Sequence, residues 1–86
     1  MEEFEMNSKA RKCFKELEKA GCPVKEWYTD ERGHFWIDGE EEGATEWLDY
    51  WNMNRIAGSD RLNRILNKHG LYFEWQNSAY AHVYDI

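Results

Sequence analysis

Three histidines, two cysteines and many carboxylates are the side chains in this sequence that could hold a metal ion. Zinc sites are built from closely spaced ligands such as C-x2-C or H-x3-H pairs. His34, His69, His82, Cys13 and Cys22 form no such pair. His34 and His82 could meet on one face of a sheet, but two imidazoles do not complete a zinc site without a carboxylate. The sequence therefore predicts no metal and no cofactor.

Nucleophilic catalysis has no better support in the spacing. Cys13 falls on an apolar helix stripe, where a thiol is expected to be buried and inert. Cys22 lies beside Pro23, with no His or Asp at motif spacing. Ser8 and Ser59 precede helical segments and are best explained as N-caps. We therefore find no candidate nucleophile.

Carboxylates are the remaining groups that could catalyse a reaction. The run Glu40–Glu42 lacks the Asx and Gly positions of a calcium loop. Paired carboxylates for glycoside hydrolysis need a concave site, which so short a chain packed around large aromatic rings would hardly form. The sequence predicts that the protein is not an enzyme.

Length and composition set the class of protein. The 86 residues are 42% hydrophobic and 33% charged, as expected for one small globular domain and for neither a disordered nor a membrane protein. No apolar run approaches the ~18 residues of a membrane span, and the acidic N-terminus does not resemble a secretory signal. Two cysteines are too few for a disulfide scaffold, which favours a reducing, cytoplasmic setting.

Charge distribution indicates the kind of partner. Seventeen acids against eleven bases give a net charge of −6. Between Gly33 and Asn54 there is no Lys or Arg. A field of this sign repels nucleic acid and anionic membranes and attracts basic surfaces. The acids of this segment are Asp38, Glu40, Glu41, Glu42, Glu46 and Asp49.

Periodicity and turn residues predict three helices and four strands. One hairpin follows the first helix and one follows the third, and their strands show apolar residues at every second position except in the first strand, where the alternation is imperfect. Gly21, Gly58 and Gly70 mark the ends of the helices. The predicted helices span residues 7 or 8 to 20, 44 or 45 to 56, and 59 to 68, and the predicted strands span 24–29, 34–38, 71–75 and 80–84.

An internal similarity suggests how these elements assemble. The segment Leu17–Gly21 resembles Leu66–Gly70, and in each half a Trp precedes a His by seven residues. We predict an α+β fold with two αββ units, a four-stranded antiparallel sheet and three helices packed on one face. The predicted parts are a flexible N-terminus (1–6), a first unit (7–38), an acidic loop with the second helix (39–58) and a second unit (59–86). The similarity leaves open whether the two units arose by duplication.

The outer face of this sheet is the predicted binding surface. Five Trp, five Tyr and four Phe are present, and Tyr and Trp are enriched in interface hot spots. Alternation places aromatic and acidic side chains together on this face, although cross-strand aromatic pairs also stabilise sheets without any binding role. The residues assigned to it are His34, Trp36, Asp38, Tyr72, Glu74, Tyr80, His82 and Tyr84, with Glu40, Glu41, Glu42, Glu46 and Asp49 beside them.

These features together describe an acidic protein-protein interaction module. Size, acidity and aromatic density are similar in general character, though not in any motif, to phage-type inhibitors such as anti-CRISPR and antirestriction proteins, which occlude a basic site on a host protein. An alternative is a single-stranded nucleic-acid-binding module that stacks bases on the aromatic face; the acids on that face argue against it. A third possibility is a homodimer with the face as its seam.

Overall fold

The computed structural model describes residues 7–26 and 34–86. The predicted flexible N-terminus (1–6), the end of the first predicted strand with Trp27, and the whole of the first predicted turn (30–33) lie outside these residues. Within them the chain forms an α+β structure with two α-helices and a four-stranded antiparallel sheet. The elements are α1 (Ser8–Ala20), β1 (Val24–Lys25), β2 (Phe35–Asp38), the 3-10 helix Ala44–Glu46, α2 (Asp60–Lys68), β3 (Leu71–Trp75) and β4 (Tyr80–Asp85).

Helix α1 follows the sequence pattern, except that Asn7 rather than Ser8 is its N-cap and Ser8 is the first helical residue. The Asn7 side chain accepts a hydrogen bond from the Ala10 N–H at 2.8 Å, which satisfies one of the unpaired donors of the first turn. Gly21 ends the helix with φ +98°, a conformation that costs glycine little. The predicted apolar stripe is confirmed, because its four residues are all buried: Ala10, Cys13, Phe14 and Leu17.

Helix α2 is also the predicted one. Ser59 Oγ accepts from the Leu62 N–H at 3.1 Å, and Asp60 lies in the first turn, where the helix dipole favours a negative charge. Leu62 and Leu66 are fully buried, and Ile65 packs against the core at partial exposure.

The prediction of a helix from residue 44 or 45 to 56 is wrong. A single 3-10 turn, Ala44–Glu46, is followed by a series of turns. The side chains of Asp49 and Asn52 accept hydrogen bonds from the N–H groups two residues ahead, at 3.1 and 2.8 Å. Such local bonds compete with helical ones and favour turns. The described residues therefore contain two α-helices rather than three, and their order of elements does not match the two predicted αββ units exactly.

The sheet order is β1-β2-β4-β3, with every neighbouring pair antiparallel. Central strands β2 and β4 pair Phe35 with Val83 and Trp36 with His82. Strand β1 spans Val24–Lys25, while residues 27–29 of the predicted strand lie outside the described residues; β4 extends one residue further than predicted, to Asp85. Both helices cover one face, and the core between them contains Phe35, Ile37, Leu71, Ala81 and Val83 from the sheet.

No helix among the described residues is long and apolar enough to span a membrane.

Candidate functional site

The uncovered sheet face carries the side chains that the alternation predicts. The strand register aligns Lys25, Trp36, His82 and Glu74 in one row across the four strands. Flanking rows pair Asp38 with Tyr80 and Tyr72 with Tyr84. Lys25 was not assigned to this face from the sequence. The alternation in the first predicted strand is imperfect and does not show which of its side chains face outward. Among the described residues, the outer face therefore contains Lys25 beside the acids Asp38 and Glu74.

The aromatic side chains of this face pack against each other. Trp36 contacts the His82 ring at a centroid distance of 4.1 Å and the Tyr80 ring at 5.4 Å. Tyr72 and Tyr84 are 5.8 Å apart. His82 is fully buried, and the tryptophan and the tyrosines are half-buried. Their placement on one face agrees with the prediction, but a large part of their surface is used within the protein itself.

His34 stands apart from this cluster. Its Nε2 lies 3.2 Å from Oδ1 of Asp85, and its side chain is 18% exposed. This contact lowers the pKa of Asp85, with Asn7 and Lys9 contributing less. Asp85 also contacts Asn7 and Lys9, so its carboxylate joins the start of α1 to the end of β4. Because His34 bonds this carboxylate, it has a structural role.

The acidic segment from Asp38 to Asp49 is mostly exposed. Glu40, Glu42 and Glu46 are exposed and make no ion pair within residues 7–26 and 34–86. Glu41 instead bonds Lys25 at 2.8 Å, which raises the pKa of that lysine. Asp49 is half-buried and holds a turn. Three glutamates of this segment thus remain available to an external cation.

An apolar surface lies in the segment where a helix was predicted, from residue 44 or 45 to 56. The apolar band of that helix would contain Trp47, Leu48, Tyr50, Trp51 and Ile56. Trp47 and Leu48 are indeed buried, at 4% and 0% exposure, but Trp51 is 76% exposed. Tyr50 and Ile56 are also exposed, and Met53 is 91% exposed. We call Tyr50, Trp51, Met53 and Ile56 the apolar patch; the turn-forming residues Asn52 and Asn54 are the signal that could have revealed it.

The loop that carries the apolar patch is held at both ends. The Asp49 N–H donates to the Arg55 carbonyl at 3.1 Å, and the Ser59 N–H donates to the Trp47 carbonyl at 2.8 Å. The Arg61 guanidinium lies 4.8 Å from the centre of the buried Trp47 ring. Trp75 Nε1 donates to the Ile56 carbonyl at 2.7 Å. These bonds fix the loop to the sheet and to α2.

Trp75 also brings the apolar patch next to the acidic segment. Its ring meets the Tyr50 ring edge-on at 5.3 Å. On its other side the ring packs so close to Gly39 that a Cβ there would approach it to 3.2 Å. Gly39 directly precedes Glu40, so the first exposed glutamate follows immediately after the residue that packs against the Trp75 ring. Trp75 therefore contacts both the start of the acidic segment and the apolar patch, and Glu46 lines one depression together with Asn54 and Arg55.

Metal-ligand groups, thiols and depressions are the features of the described residues that can be compared with what catalytic sites contain. They contain no group of three or more His, Cys, Asp or Glu side chains that could hold a metal ion. Burial raises the pKa of the Cys13 and Cys22 thiols to about 12, so neither is a ready nucleophile. A groove between the helices, about 310 Å³, and a depression beside the apolar patch, about 530 Å³, are both open and lined largely by charged side chains. Neither encloses a substrate as an active site does.

Comparison of the chain with protein-family models, with curated proteins and with solved structures finds no match.

Proposed function

We propose that this protein is a non-enzymatic interaction module that binds a partner protein through a basic surface on that partner. The observation that carries the proposal is the exposure of Glu40, Glu42 and Glu46 without ion pairs among the described residues. Complementary charge of this kind accelerates encounter and fixes the orientation of the bound proteins. A partner that uses its basic surface to hold nucleic acid would be inhibited by such binding, as a host protein is by a phage-type inhibitor.

The aromatic sheet face supports this function in a secondary way. Trp36, Tyr80 and Tyr84 are half-buried, and their large rigid rings would extend the contact at small entropic cost. Asp38 and Glu74 on the same face favour a cationic partner. We therefore keep this face in the proposed interface, with the acidic segment as its principal part.

Binding of single-stranded nucleic acid through the aromatic face is the alternative. Base-stacking proteins pair their aromatic rings with Lys and Arg along the path of the backbone. On this face Lys25 is the cation present among the described residues, and it is bonded to Glu41. Titration with oligonucleotides at low salt, followed by tryptophan fluorescence, tests this alternative: quenching supports it, and an unchanged signal excludes it.

Affinity capture with matched charge variants tests the proposed function. Glu42→Lys and Glu18→Lys change the net charge equally at exposed positions, Glu42 within the acidic segment and Glu18 on α1. We expect the wild type and Glu18→Lys to retain the same basic protein from cells of the source organism. Glu42→Lys should retain about tenfold less, because a cation then faces a basic surface.

Salt dependence provides the second measurement. The amount retained should fall steeply as ionic strength rises, since exposed charges are screened within about 8 Å at physiological salt. Equal retention by all three proteins, or the capture of no basic protein, would contradict the proposal.

A further inference from the structure

We propose that the apolar patch is the anchor of this interface, and that it inserts into an apolar cleft rimmed by Lys and Arg on the partner protein. This inference rests on the proposed function and names a surface that the proposal itself does not need. Interfaces concentrate their binding energy in a few large side chains at the centre, while charges at the rim mainly guide association. The apolar patch supplies such large side chains, and the acidic segment supplies charges on one side of it.

The exposure of the patch is the first observation. Trp51 and Met53 are 76% and 91% exposed and stand two residues apart, flanked by Tyr50 and Ile56. Single exposed apolar residues are common, but a contiguous group of this size marks an interaction site. Trp and Met are both enriched at interfaces, and the flexible thioether of Met adapts to an irregular cleft.

The rigidity of the loop is the second observation. The Trp51 N–H is bonded to the Asp49 carboxylate, and the Ile56 carbonyl is bonded to the Trp75 indole. Tyr50 stacks edge-on between Trp51 and Trp75, at 5.2 and 5.3 Å. An anchor that is already fixed loses little conformational entropy on binding. The backbone of the loop and the Tyr50 ring are thus held in position before any partner arrives.

The negative charge of this protein indicates which kind of partner the apolar patch binds. In a symmetric pair of these chains the patch of one copy would face the patch of the other. Each copy carries a net charge of −6, and this like charge opposes the pairing of two copies. An anionic membrane is disfavoured in the same way. A partner with Lys and Arg around its cleft instead meets acids on the side of the patch where Glu46, Glu42 and Glu40 lie.

Defined peptides test the proposal without knowledge of the partner. The probe is a fluorescently labelled synthetic helix with leucines on one face and lysines on the other, a minimal basic surface with an apolar stripe. Two matched peptides replace all leucines with serine or all lysines with glutamate. Fluorescence anisotropy gives the affinity of each peptide for the wild type, for the double variant Trp51→Ala/Met53→Ser and for the control Ile86→Ala. Ile86 is 76% exposed, as Trp51 is, but it is the last residue of the sequence, and its N–H donates to the Gly70 carbonyl.

We expect the lysine–leucine peptide to bind the wild type and Ile86→Ala with equal affinity, and Trp51→Ala/Met53→Ser about tenfold more weakly. The serine peptide should bind the wild type about tenfold more weakly, and the glutamate peptide should not bind. Unchanged affinity of the double variant overturns the anchor, as does no binding of the lysine–leucine peptide. Loss of affinity in Glu42→Lys with none in Trp51→Ala/Met53→Ser would leave the proposed function standing and remove this inference alone.

Two further results would replace the occupant. A dimer in light scattering that disappears in Trp51→Ala/Met53→Ser would identify a second copy of this chain. Binding to uncharged phosphatidylcholine vesicles that is lost in the same variant would identify a lipid surface. Thermal unfolding of the double variant should match that of the wild type, because both side chains are exposed, and this confirms that the variant is folded.

Discussion

Trp36 and His82 lie opposite each other on the two central strands, with their ring centroids 4.1 Å apart. The imidazole is fully buried in this position, although it stands on the sheet face that the helices do not cover. The Trp36 ring therefore covers His82 on the outer face of the sheet, as the helices cover the core residues on the inner face.

Two tryptophans of this chain are expected to differ sharply in their effect on stability. Trp36→Ala removes the ring contacts with His82 and Tyr80 and should lower the free energy of unfolding by about 2–3 kcal/mol. Trp51→Ala should change it by less than about 0.5 kcal/mol, because the ring is exposed. Urea denaturation of both variants measures the difference. Equal losses would contradict the assignment of one ring to structure and the other to a free surface.

Glycine at position 58 is required by both its conformation and its neighbours. Its φ is +88°, and a Cβ would lie 2.7 Å from Phe73 Cε2 and 2.9 Å from Asn63 Nδ2. Gly58→Ala should therefore destabilise the protein by about 2–4 kcal/mol. Gly43→Ala is the control: its φ is +87°, with no atom within 4 Å of the added carbon. It should cost about 1 kcal/mol, and a loss as large as that of Gly58→Ala would show that crowding at Phe73 is not the cause.

Acid should weaken the contact between the two helices. Glu16 of α1 lies 2.9 Å from Nε2 of His69 and accepts from Nζ of Lys68 at the same distance. These bonds, the one to His69 first, lower the pKa of Glu16 below its usual 4.5. The unfolded chain then takes up the proton first as the pH falls, so this contribution to stability is present above about pH 4.5 and is lost below it.

Denaturation midpoints near neutral pH and at about pH 3 measure this dependence. Glu16→Gln should show a smaller difference between the two midpoints than the wild type, and the exposed control Glu18→Gln should keep the full difference. Some dependence should persist in Glu16→Gln, because His34 lowers the pKa of Asp85 in the same direction. An identical difference in Glu16→Gln and wild type would show that Glu16 does not couple folding to pH.

The two thiols should report global unfolding. Both are buried, and burial is the main cause that raises the pKa of each to about 12. At mildly alkaline pH an aromatic disulfide reagent should label neither Cys13 nor Cys22 in the native protein within minutes, and both in urea. Labelling rates that follow the unfolding equilibrium support this, whereas rapid labelling of either thiol without denaturant would contradict it.

Patterns local to one element predicted most of the fold. The stripe at Ala10, Cys13 and Leu17, the Ser59 cap and the alternation in β3 and β4 each depend on neighbours in the sequence. The loop from Trp47 to Gly58 failed for a physical reason. Its apolar spacing fits a helix, but the side chains of Asp49 and Asn52 bond nearby N–H groups, and the Ile56 carbonyl is bonded by Trp75 of a distant strand.

The candidate site was predictable in the same measure. Alternation placed Trp36, Tyr80 and His82 on one face, but burial of His82 depends on a cross-strand contact that spacing alone does not reveal. The bond of Glu41 to Lys25 required the pairing of β1 with β2. Trp51 and Met53 are exposed because the predicted helix does not form. The surface that we propose as the anchor therefore lies in the segment whose structure the sequence predicted least well.

The pairing of β2 with β4 at the centre of the sheet has a consequence for how this chain folds. Each of these strands belongs to a different half of the sequence, so the centre of the sheet forms only when the two halves come together. Folding must then wait for the closure of a long loop, which slows it relative to helical proteins of this size. A ribosome-bound chain lacking β4 would be unable to complete its core, and the two halves expressed as separate fragments should acquire structure only when mixed.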